Sequence, residues 1–81
     1  MTRYMLIEEN CIKVFLTRNI IIKLSKDNYK RYIINLIKDL MFKKEINQCS
    51  KNDIEDLGRL QWSFMDCANI AYKEYKLNKN Y

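Results

Sequence analysis

The chain contains no histidine and no proline, and Gly58 is its only glycine. Each absence removes a class of chemistry. Without histidine the commonest general base is missing, along with the usual activator of a nucleophilic serine or cysteine. With one glycine there is no glycine-rich loop to cradle phosphates. Cys11, Cys49 and Cys67 form an odd set without CxxC spacing, so a four-ligand zinc site has no source and reduced thiols are expected. No apolar run approaches the ~20 residues that span a bilayer. Glu8 and Glu9 interrupt the first apolar stretch, which argues against a signal-peptide layout. The expectation is a cytoplasmic, non-catalytic protein with no metal, no cofactor and no membrane contact.

What remains is 81 residues, 48% of them apolar, with a net charge of +5 from 15 basic and 10 acidic side chains. This is enough for one small domain spanning 1–81, whose core is only just sufficient at this size. A homodimer or a partner would add burial. Ile, Lys, Asn and Tyr make up nearly half of the chain. All four have AT-rich codons, a coding bias of low-GC genomes such as those of many phages, plasmids and Firmicutes.

The hydropathy pattern predicts an α+β fold. Over residues 3–24 the apolar side chains scatter around a helical wheel but divide well into strands Arg3–Glu8, Cys11–Thr17 and Ile20–Leu24, with Glu9-Asn10 and Arg18-Asn19 as turns. A three-stranded antiparallel β-meander follows. Alternation puts Ile12, Val14, Leu16, Ile20, Ile22 and Leu24 on one face, with Tyr4 and Leu6 beside them. Lys13, Phe15, Thr17, Ile21 and Lys23 then lie on the other face, with Met5 and Ile7.

Two helices are predicted next, packed on one face of the sheet. The first spans about 26–46, with Ser25 as its cap, Leu24 and Tyr29 as a hydrophobic staple, and Tyr29, Ile33, Leu36, Ile37 and Leu40 as its buried stripe. The second spans about 51–76. Ser50 and Asp53 form a capping box at its start, Cys49 and Ile54 stand as a staple, and Asp53, Glu55 and Asp56 favour the positive end of its dipole. Its stripe is Ile54, Leu57, Leu60, Phe64, Ala68, Ala71, Tyr72 and Tyr75. The residues after Leu77 are expected to fray.

Several apolar groups do not fit these layers. Trp62 falls among polar residues, beside Arg59, and Phe42 falls on the outer face of the first helix. Phe15 and Ile21 lie on the sheet face that two helices on one side leave open. Such groups mark contacts with other macromolecules, and tryptophan is enriched where partners bind. The expected function is a small protein-binding regulator or inhibitor that occupies a surface of its target, of the kind a phage uses against a host defence machine, as anti-CRISPR proteins do. The alternative is a small basic nucleic-acid-binding transcriptional regulator using Lys30, Arg31, Lys38, Lys43 and Lys44 of the first helix. Against it, the acidic start of the second helix would repel phosphates where a recognition helix meets DNA.

Overall fold

The computed structural model describes residues 4–79, and within them an α+β domain. Strands β1 (Met5–Ile7), β2 (Cys11–Phe15) and β3 (Ile21–Ser25) form one antiparallel sheet in the order β1-β2-β3. Three helices follow: α1 (Tyr29–Glu45), α2 (Lys51–Ser63) and α3 (Met65–Lys79). Arg3, Asn80 and Tyr81 lie outside the described residues.

The register shows how the turns sort the faces. Ile7 pairs with Ile12 and Met5 with Val14, so Glu9-Asn10 is the two-residue turn, closed by the Glu8 N–H donating to the Cys11 carbonyl. That turn dictates that Met5 and Ile7 share the core face and that Leu6, opposite Lys13, faces away. The expected sidedness of β1 is therefore reversed. At the second turn Phe15 pairs with Ile21 and Ile12 with Leu24, which leaves Thr17–Asn19 as a three-residue 3-10 turn. Arg18 and Asn19 both adopt left-handed backbone, at φ 59° and 58°. Asparagine tolerates this region well, whereas arginine has no such local compensation. Thr17, expected on the solvated face, is instead buried, because its N–H donates to the Asp56 carboxylate of α2 at 2.8 Å. Ile20, expected in the core, is exposed at the turn.

Strand β3 runs through Ser25, so α1 begins three residues later than expected, with Asn28 at its N-cap. Ser25 does not cap the helix; its hydroxyl accepts from the Asp27 N–H in the intervening turn. At the other end Asn47 is left-handed, and the N–H groups of Asn47 and Gln48 donate to the carbonyls of Lys44 and Lys43. This is a Schellman closure, with asparagine in the place glycine usually takes. The capping box of α2 forms as its sequence suggests, with the Ser50 and Asp53 side chains each accepting from the other's backbone N–H. Those bonds, the Ser50 backbone N–H first among them, hold the Asp53 carboxyl below its ordinary range. Cys49 turns its thiol toward the Leu40 carbonyl, and Ile54, its expected staple partner, is exposed.

The predicted last helix is two helices. Phe64 leaves helical backbone at φ −132° and ψ 62°, although no proline or glycine is near it. Tertiary contacts account for the break. Phe64 turns inward to within 6.1 Å of the Tyr29 ring, and the Ser63 hydroxyl accepts the Tyr4 N–H at 2.9 Å. The buried stripe keeps its spacing across the break. Leu57, Leu60, Phe64 and Ala71 are buried as expected, and Cys67 from the flank of the stripe joins them, while Tyr72 is exposed.

All three helices contribute to a single core against one sheet face. It joins Ile12, Val14 and Leu24 of the sheet with Ile33, Ile34, Ile37 and Leu40 of α1 and the apolar residues of α2 and α3 just named. Ile33, Ile37, Leu60 and Val14 are almost wholly removed from water. Each such side chain contributes roughly 1.5–3 kcal/mol of transfer free energy. Among the described residues no helix is long and apolar enough to cross a membrane, and no group of three or more potential metal-ligating side chains exists.

Candidate interaction surface

A concave surface lies beside the helix break. A cleft of about 420 Å³ opens where the β1 edge of the sheet diverges from the α2–α3 junction. Met5, Ile7 and Ile12 form its sheet wall, and Trp62, Phe64 and Met65 its helix wall. Ser63 and Phe64 are buried, whereas Trp62 just before them remains 48% and Met65 just after them 64% exposed. Ile7, on the facing strand, is 60% exposed. Three large apolar groups from three elements therefore converge on one opening. Lys30 and Asp66 add one charge of each sign to its lining. Cys67 lies among the lining residues, but burial pushes its thiol pKa up, which favours the inert protonated form over a nucleophilic thiolate.

The five residues singled out as interface candidates do not form one patch. Phe42 is 54% exposed and lines a separate groove with Leu36 and Ile46 near the C-terminal end of α1. Phe15 and Ile21 are cross-strand partners on the outer sheet face, which none of the helices covers. Arg59 is engaged within the fold. Its guanidinium stacks 4.4 Å from the Tyr4 ring, donates to the Phe15 carbonyl at 3.4 Å and pairs with Glu55 at 3.7 Å. It clasps α2 to the rim of the sheet. Met65 and Leu6 were missed as surface residues, and Ile7, expected on the open sheet face, is exposed on the opposite side. The register dictated by the Glu9-Asn10 turn was the available signal for Leu6 and for the side that Ile7 takes, whereas Met65 depends on a helix break with no local sequence mark.

The five basic candidates of α1 are divided as well. Arg31 donates to both Glu74 carboxylate oxygens, at 2.9 and 3.1 Å, and Lys38 reaches the same carboxylate at 3.1 Å. This triad ties α1 to α3, and the Arg31 bond, followed by the Lys38 bond, lowers the Glu74 pKa. Lys30 lines the Trp62 cleft, Lys43 lines the Phe42 groove, and Lys44 lines a third groove with Leu57 and Tyr72. No continuous basic stripe results.

The chain matches no protein family, no curated protein and no solved structure.

Proposed function

We propose that this α+β domain is a non-catalytic protein-binding module, a small regulator or inhibitor that works by covering a surface of a protein target. The observation that carries the reading is the convergence of Trp62, Met65 and Ile7, each about half exposed or more, on one cleft. A half-exposed tryptophan at the lip of a concave site offers a large contact area with little side-chain freedom to lose. The mechanism is steric, with the target's surface occupied by a rigid domain. An inhibitor of a host machine carried by a mobile element is the specific form of this reading, supported by small size and by AT-rich coding bias. The nucleic-acid alternative is less favoured, because Glu74 engages Arg31 and Lys38, and the remaining α1 lysines lie at three separate grooves.

The test is capture of the target from the organism that carries the gene, with wild type and Trp62→Ala side by side. Trp62→Ala should cost roughly 2 kcal/mol or more of binding, about 30-fold in Kd. Retention of the target by the wild type should vary little with salt. Binding that falls steeply as salt rises, and is indifferent to Trp62, would instead indicate phosphate contacts.

A further inference from the structure

The outer face of the sheet is a second surface, separate from the Trp62 cleft, and its chemistry is specific. Leu6 and Ile21 are 48% and 54% exposed there, and Phe15 stands half-buried opposite Ile21. In the middle of the face Lys13 and Lys23 are direct cross-strand partners. Like charges placed opposite each other repel. Glu8 relieves part of this by pairing with Lys13 at 3.4 Å. Lys23 is exposed and makes no ion pair among the described residues. The face therefore presents apolar side chains beside a cation in surplus.

We propose that this face receives a short segment of a protein partner in which a carboxylate stands next to apolar side chains. The inference rests on the protein-binding reading and adds the chemistry of the partner. A second copy of this chain is the competing occupant, and two arguments disfavour it. A two-fold stack of sheet on sheet would bring Lys13 and Lys23 toward their own copies across a desolvated contact. The face is also small: with three residues in β1 and five each in β2 and β3, at ~3.4 Å per residue and ~4.8 Å between strands, its planar outline is roughly 210 Å², and side-chain relief does not bring that near dimer size. A stable dimer buries about 800 Å² on each partner. A peptide segment fits this footprint, and its carboxylate would reach Lys23 while its apolar groups cover Leu6 and Ile21.

The test uses three labelled peptides, in which leucine alternates with glutamate, glutamine or lysine, titrated against the full chain. The wild type should prefer the glutamate peptide over the glutamine one by roughly tenfold. Amide shifts should concentrate at Leu6, Lys13, Ile21 and Lys23. Lys23→Glu, at an exposed position opposite Lys13, replaces a like-charge pair with an opposite-charge one, so it should melt no lower than wild type and should reverse the preference toward the lysine peptide. Trp62→Ala should leave the peptide preference unchanged. Equal binding of all three peptides, or a preference that survives Lys23→Glu, would overturn the proposal. So would displacement of the glutamate peptide by oligo(dT), or a dimer in sedimentation that Leu6→Ser dissociates. If the peptides show no charge preference while Trp62→Ala still abolishes target capture, this face is excluded and the protein-binding reading stands. If capture is also indifferent to Trp62, that reading falls too.

Discussion

Gly58 sits in the middle of α2, and a Cβ built on it meets nothing within 4 Å. Its backbone is helical, so the glycine contributes only disorder to the unfolded chain. Gly58→Ala should raise stability by about 0.5–1 kcal/mol, seen as a Tm increase of a few degrees. Trp62 and Leu60 make a sharper contrast on the same helix. Leu60 is fully buried and Trp62 about half exposed. In urea melts Leu60→Ala should cost about 2–5 kcal/mol, whereas Trp62→Ala should cost no more than roughly 2–3 kcal/mol although tryptophan is much the larger side chain, since only about half of its surface leaves water on folding. A large stability loss at Trp62 would mean that the fold requires the residue for packing, and would remove the main support for its role as a contact. Asp53 and Ser50 were fully legible from spacing alone, because a capping box is a local motif that needs nothing from the rest of the chain.

Elements were legible wherever local rules settle them. The two-residue turn at Glu9-Asn10, the buried stripe of α1 and the start of α2 follow from periodicity and turn chemistry. What could not be read was tertiary in origin. The break at Phe64 depends on Tyr29 and Tyr4, which lie 35 and 60 residues away in sequence. The inward turn of Thr17 depends on Asp56. The engagement of Arg31 and Lys38 depends on Glu74, so a basic helix in sequence is partly neutralised in the fold. This triad has a pH signature. Glu74 is held below the ordinary carboxylate range first by Arg31, so its contribution is complete above the unfolded value and is lost as pH falls through the folded one. Glu74→Gln removes the titrating group. The variant should therefore lose less stability than wild type between neutral pH and about pH 3, measured as the difference between urea midpoints at the two pH values. The Arg31 and Glu74 side chains are 59% and 30% exposed, so added salt should shrink that difference.

At the scale of the whole molecule, one layer of helices on one side of a three-stranded sheet leaves apolar groups on both the open sheet face and the diverging edge. This much was visible in the sequence, as a surplus of large side chains over the positions that two layers can shelter. The grouping of those side chains was not, because it depends on strand sidedness and on the break at Phe64. The same break has a consequence for the isolated polypeptide. Between Lys51 and Lys79 no proline interrupts the chain, and the only glycine lies well inside α2 rather than at the bend. Cut away from residues 4–49, a synthetic peptide of 50–79 has no Tyr29 ring to draw Phe64 inward and no Tyr4 amide to hold Ser63. In a helix-promoting solvent it should straighten into one continuous rod, with medium-range proton–proton contacts running uninterrupted through Phe64. In that form the notch beside Trp62 would vanish, which makes the recess a property that the strands impose on the helices from outside.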